Sequence, residues 1–292
     1  MDAEILDKYR KAGKILAQVC NEAKPRIEVG VPLLEVAELV EGSIKKLGGE
    51  PAFPCNISLN RAAAHYTPKV NDPTVFGEDM VKLDIGVHVD GYIADAAVTV
   101  DLSGHPDLVD ASRAALDAAL EMIRPGADTA EIGAAIEQAI NGYGYKPVAN
   151  LTGHGLERYS AHSDPAVPNK AMDKGVILKE GDVIAIEPFA TNGIGRIGEA
   201  PINEIFGFSA PRPVRLPQAR ELLKDIQNRF GTLPFARRWL TGDRIDYALT
   251  QLLRSGAIHR YPVLWEIEGA LVSQAEHTVI VQSNGCEITT KG

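Results

Sequence analysis

The sequence is short of the features that mark secreted, membrane-spanning and redox proteins. Three cysteines in 292 residues, Cys20, Cys55 and Cys286, form neither a disulfide framework nor a CxxC metal pair, and they read as small buried hydrophobes in a reducing compartment. No run approaches the roughly 18 consecutive apolar residues of a membrane span. The opening Met-Asp-Ala-Glu-Ile-Leu lacks the basic-then-apolar form of a signal peptide, so a cytoplasmic protein with no membrane partner is expected. Basic residues are also in deficit. The formal net charge of −9 argues against a general nucleic-acid binder. What is present is 45% hydrophobic content, enough for a large core in one big domain or two.

The most informative stretch is Val81 to Val100. Two alternating, β-branched-rich runs flank Asp90-Gly91, and Asp-Gly between such runs signals a hairpin closed by a type I′ turn. With these two residues as the loop, Val89 faces Tyr92, Gly86 faces Asp95 and Asp84 faces Ala97. One face, from Leu83 to Val100, is core. The other carries Asp84 and Asp95 as diagonal neighbours, roughly 7 Å apart at the backbone. Carboxylates so close repel unless a cation lies between them. Gly86, opposite Asp95, is expected to leave space for such ions.

Amphipathic helices are predicted over residues 2 to about 26, after Pro32 at a first helical position, and from about Pro106 to Ile123. A strand near Asn56 to Leu59 precedes a loop with His65. The chain then repeats itself. Placing Gly126 on Gly30 aligns Glu131 with Glu35, Ile140 with Ile44, Gly144 with Gly48 and Pro147 with Pro51. Small later shifts set Asn150 on Asn56, His154 near His65, and the strand ending in Glu187 on the one ending in Asp84. Two similar halves are expected, with a site between them. Residues 198–261 have no counterpart. They read as an inserted helical subdomain in which basic residues, Arg212, Arg215, Arg237, Arg238, Arg254 and Arg260 among them, outnumber acidic ones. Residues 1–197 and 262–292 would form the catalytic domain.

Gly193-Ile-Gly-Arg-Ile-Gly198 matches the glycine pattern of dinucleotide sites, but Glu199-Ala200-Pro201 is a poor helix opening, and the acidic residue expected about 20 positions on falls in a basic helix. That reading is rejected. His154 sits in Thr-Gly-His-Gly-Leu, where the glycines would let backbone approach a ligand. His162 follows in a polar loop, and Pro188 holds Glu187 at a strand end. Asp84, Asp95, His154, Glu187 and Glu276 offer four carboxylates and one imidazole. That set suits hard to borderline divalent ions such as manganese, iron, cobalt or zinc, and four carboxylates suit two ions rather than one.

Asp84 with Asp95, Gly153-His154-Gly155, Ile186-Glu187-Pro188 and Gln274-Ala-Glu276-His-Thr278 resemble the five-ligand set of the methionine aminopeptidases, over nearly the whole chain. The insert, with Phe230-Gly-Thr-Leu-Pro-Phe-Ala-Arg-Arg-Trp-Leu240, resembles the one that marks type II enzymes. Without their basic N-terminal extension, the chain looks like the short, archaeal-style form. The resemblance implies an α+β fold, the duplicated "pita bread" with a curved antiparallel sheet and outer helices. It also implies two divalent ions. Asp84 and Asp95 would hold one, His154 and Glu187 the other, and Asp95 and Glu276 would bridge them. Glu187 would accept a proton, His162 would bind the carbonyl oxygen or oxyanion, and His65 the scissile nitrogen. Phe53 and Tyr261 would line the methionine pocket, while His88 and His277 are left as structural. The implied activity is removal of N-terminal methionine from nascent polypeptides when the second residue is small, by a monomer. The basic insert could touch the ribosome. Rival readings are a prolidase or aminopeptidase P, and a metal-free ribosome-associated protein of the same fold.

Overall fold

The computed structural model describes residues 1–292. Its first half is organised on the hairpin Met80–Val89 and Tyr92–Asp101. The ladder runs without a bulge from Met80↔Asp101 to Val89↔Tyr92, and Asp90 (φ 52°) and Gly91 (φ 84°) take the two left-handed conformations that a type I′ turn requires. Unbroken pairing keeps Leu83, Ile85, Val87, Ala94 and Ala96 on one face. They pack there on helices α1 (Ala3–Ala23) and α2 (Leu33–Lys46) through Leu16, Val19, Val36, Val40 and Ile44. Asp2 caps α1 by accepting the Glu4 N–H at 3.0 Å. Pro32 lies one residue outside α2 rather than at its first position, because it is bridged to Val75.

Gly86 does not make room for ions. A side chain there would strike the ring of Phe53, with the nearest carbon 2.3 Å from the added Cβ. The missing side chain lets the Phe53 ring lie against the hairpin opposite Asp95.

Several backbone bonds of the first half recur in the second. Gly30 N–H reaches Phe76 O at 2.7 Å and Gly126 N–H reaches Leu178 O at 2.8 Å; Leu33 N–H to Thr74 O is matched by Thr129 N–H to Val176 O. Ala52 N–H to Gly86 O is matched by Val148 N–H to Phe189 O, which sets Glu187 in the place of Asp84. Helices α3 (Pro106–Met122) and α4 (Thr129–Gly142) cover this half through Leu116, Ile132, Ile136, Ile184 and Val279. The ladders also correct part of the alignment. Ser58 pairs Lys82 and His154 pairs Ala185, so the offset that carries Gly30 to Gly126 carries Ser58, not His65, to His154. Asn150 bonds Ile197 rather than repeating the Asn56 contact with Asp84. The same offset carries His65 to within one residue of His162, on the segment that follows the paired strand in each half.

The insert is not only helical. Strands Ile205–Phe208, Phe235–Ala236 and Ile258–Tyr261 form a three-stranded antiparallel sheet. It packs with α5 (Pro217–Phe230) and α6 (Ile245–Ser255) around Phe206, Leu222, Ile226, Phe235, Leu249 and Leu252. These strands are short and pair across long sequence gaps, so no local periodicity announces them. No helix of the chain is long and apolar enough to cross a membrane.

Candidate metal centre

The hairpin, the strand Thr152–Glu157, and the breaks after Val183–Ile186 and Val272–Gln274 bring five side chains to one point on the face away from the helices. Ligand atoms of Asp95, His154 and Glu276 lie within 4.8 Å of one another. His154 Nε2 is 3.9 Å from Asp95 and 3.5 Å from Glu187. Asp84 lies against Asp95 and accepts from Asn56 Nδ2 at 3.3 Å. Pro188 interrupts the ladder between Ile186 and Phe189, just where Glu187 must leave its strand. All five residues that the sequence singled out as ligands are therefore together.

Burial pushes the Asp84 carboxyl up to about 7. Asp95, Glu187 and Glu276 are held well above the usual carboxylate range, by burial first and then by the surrounding negative charges. His154 is lowered to about 3, by burial and then by His162. Four buried or half-buried carboxylates with no buried cation among them are an unfavourable arrangement. Asp84 Oδ1 and Asp95 Oδ1 are moreover buried without any hydrogen-bond partner. Orphaned, converging oxygens beside a neutral imidazole fit divalent cations, which would satisfy both the oxygens and the charge.

A cavity of about 300 Å³ opens on this centre, with His65, His162, Phe53, Tyr261, Phe189 and Leu264 in its walls. Two larger clefts, of about 760 and 890 Å³, contain none of the five ligands. His65 adopts a left-handed conformation (φ 67°). Its Nδ1 is 3.2 Å from Pro262 O, and a carbonyl only accepts, so Nδ1 carries the proton and Nε2 the lone pair. Burial and His162 lower its pKa to about 4. His162 belongs to the strand Ser160–Pro168 rather than to a loop, with its ring 4.6 Å from that of His154 and its pKa lowered by burial. Tyr261 stands edge-on to His65 at 5.7 Å and stacks on His162 at 6.2 Å. His88 accepts the Gly91 N–H and His277 bonds Thr290, each away from the ligands.

Other assignments change for reasons of packing. Gly153 and Gly155 admit neighbouring backbone, not a ligand; added Cβ atoms would lie 2.4 Å from Ala185 O and 2.0 Å from Asp164 O. The glycine motif at Gly193–Gly198 does cradle an anion, but the anion is the chain's own. Buried Glu266 accepts from the N–H groups of Gly195 at 2.7 Å and Ile267 at 2.6 Å. The sequence reading gave no role to Gln274, whose Nε2 lies 3.4 Å from both Glu187 and Glu276, or to Thr278, which takes up the Asp95 backbone. Gln274 stood inside a recognised motif, yet a glutamine between two carboxylates carries no spacing signal.

Residues 7–215 match metallopeptidase family M24. The methionine aminopeptidase of Archaeoglobus fulgidus is 55% identical over 292 residues, which cover 100% of each chain. The structure of a thermophilic Arx1 superposes with a TM-score of 0.90 at 18% identity, covering 100% of this chain and 92% of that one. The methionine aminopeptidase of Thermotoga maritima superposes with a TM-score of 0.75 at 24% identity, covering 100% and 98%. At such identities the two structures speak to the fold alone.

Proposed function

The chain belongs to metallopeptidase family M24, within its methionine aminopeptidases, and we propose that two divalent ions at Asp84, Asp95, His154, Glu187 and Glu276 serve its release of N-terminal methionine from nascent polypeptides. The observation that carries this reading is the pair of orphaned carboxylate oxygens at the floor of a cavity flanked by His65 and His162. Asp84, Asp95, His154, Glu187 and Glu276 would hold these ions, with Asp95, His154 and Glu276 the three whose ligand atoms converge most closely. Cobalt, manganese, iron or zinc suits such an oxygen-rich set with one nitrogen. Two such ions supply Lewis-acid polarisation of the scissile carbonyl and a lower pKa for the attacking water.

The chain's own groups do the rest. Glu187 receives the proton of the attacking water. His162, neutral at pH 7 because its pKa is lowered, donates an N–H to the carbonyl oxygen as charge develops there. The lone pair on His65 Nε2 receives the N–H of the scissile amide. Phe53 and Tyr261 offer apolar ring surface to the methionine thioether. A cavity of about 300 Å³ favours a small second residue. The protein acts as a cytoplasmic monomer. The metal-stripped protein, resupplied with each ion in turn, is expected to cleave Met-Gly-Met-Met and to spare X-Pro peptides. Cleavage of the X-Pro peptides alone would favour the prolidase reading.

A transient ribosome contact through the insert fits the same role. Arg237 pairs with Asp246 and Arg238 is buried against Glu41, so neither is free for a partner. Arg212, Arg215, Arg254 and Arg260 are exposed and unpaired. If co-sedimentation with ribosomes is unchanged after Arg212→Glu and Arg254→Glu, this contact does not exist.

A further inference from the structure

Lys82 is fully buried, and nothing described so far uses it. Its Nζ donates to the carbonyl oxygens of Asn60 at 2.7 Å and Met80 at 3.2 Å. Asn60 is itself a junction. It holds a left-handed conformation (φ 52°) in the turn between strands Asn56–Leu59 and Ala62–Ala64. Its N–H donates to Met80 O at 2.9 Å and its Nδ2 to Asp79 at 2.6 Å. Its Oδ1 accepts from Met80 N–H at 3.0 Å, and its O accepts from Val272 N–H at 3.1 Å. Three chain segments therefore meet at the Lys82 amino group, and each runs directly into the site: Asn60 toward His65, Lys82 toward Asp84, Val272 toward Glu276.

Two observations indicate that neither the fold nor hydrogen-bond satisfaction calls for a lysine here. In the repeat, the equivalent ladder position is Ala185, beside His154, so the same pair of strands forms around an alanine. Both carbonyls that Lys82 meets also have backbone donors, Val272 N–H and Asn60 N–H, and would not be orphaned by an apolar residue. Burying a lysine is nevertheless costly. We propose that Lys82 is a positioning residue for the reaction: its amino group clamps the Asn60 turn to the hairpin and so fixes His65 relative to Asp84 and Glu276. Misplacement by about 1 Å can cost 10²-fold in rate.

The proposal rests on the aminopeptidase activity, which wild-type turnover reports separately in the same assay. For Lys82→Ala, kcat on Met-Gly-Met-Met is expected to fall about 10- to 10²-fold, with KM and metal content little changed. Methylammonium, able to occupy the vacated cavity, should restore turnover saturably, whereas tetramethylammonium at equal ionic strength should not. Undiminished kcat, or a loss that methylammonium leaves untouched, would overturn the proposal. Should the alanine variant fail to fold, Lys82→Met fills the cavity and carries the test. A reduced kcat at the wild-type melting temperature and metal content is then expected, and a wild-type kcat would refute the clamp.

Discussion

Asp95→Asn is expected to lower kcat/KM on Met-Gly-Met-Met by about 10³-fold or more, the scale of losing several kcal/mol of transition-state stabilisation, and to lower bound metal in parallel. Asp95 is 4% exposed, touches Asp84 and lies within reach of His154 and Glu276, so it is central to the converging group. The same substitution should stabilise the metal-free protein at pH 7, because it removes a carboxyl that burial and its acidic neighbours make costly to ionise in the fold although it is ionised in the unfolded chain. Opposite effects on activity and on the melting temperature in EDTA separate a ligand from a packing residue; a fall in both would remove Asp95 from the ligand set. The pH dependence has a fixed sign as well. In the metal-free fold Asp84 keeps its proton up to about 7 against an ordinary 3.8. Its contribution to stability is complete below about pH 3.8 and is lost progressively as the pH rises to about 7. The melting temperature in EDTA should therefore fall between about pH 4 and 7, and added metal should suppress the fall.

His65→Ala is expected to cost about 10²-fold in kcat, the usual effect of a lost acid–base or transition-state contact, while metal content holds. His65 is fixed by its backbone conformation, by Pro262 O and by the Tyr261 ring, and it contacts no ligand carboxylate. Loss of metal in proportion to activity would place it with the ligands instead. With its pKa near 4, His65 also cannot produce an acid limb near pH 6.5 in kcat/KM, and profiles of wild type and variant should share any limb found there.

The hairpin was legible because its determinants are local. Asp90-Gly91 dictates the turn, the turn dictates the register, and the register places Asp84 and Asp95 on one face. The helices were legible from apolar spacing, and the five converging residues from motifs surrounding each one. What was illegible depends on atoms distant in sequence. Nothing near Gly86 announces the Phe53 ring, nothing near Gly193 announces Glu266, and Gly155 gives no sign of the Asp164 carbonyl against it. At Gly86 and Gly155 a glycine was correctly read as making space, and the occupant was wrong; at Gly193 no occupant was expected. The repeat was found, with Glu187 correctly set on Asp84, but misregistered at Asn150 and His154, since only the ladders show that Ser58 rather than His65 stands where His154 does. Arg238 looked like exposed charge because its partner, Glu41, lies in the other part of the sequence.

The Arg238 contact has a mechanical side. At one end the insert is anchored in the first half: Arg238 meets Glu41, Thr67 and Pro68, and Trp239 Nε1 bonds Glu41 at 2.7 Å. At the other end the Thr232 hydroxyl donates to Tyr159 O, in the second half. Between these anchors Pro234 and Tyr261 form part of the cavity wall. The insert thus acts as a crossbar over the seam of the two halves. The wall that Pro234 and Tyr261 supply is thereby tied to both halves at once, so a change in the seating on Glu41 or on Tyr159 would be felt at the cavity.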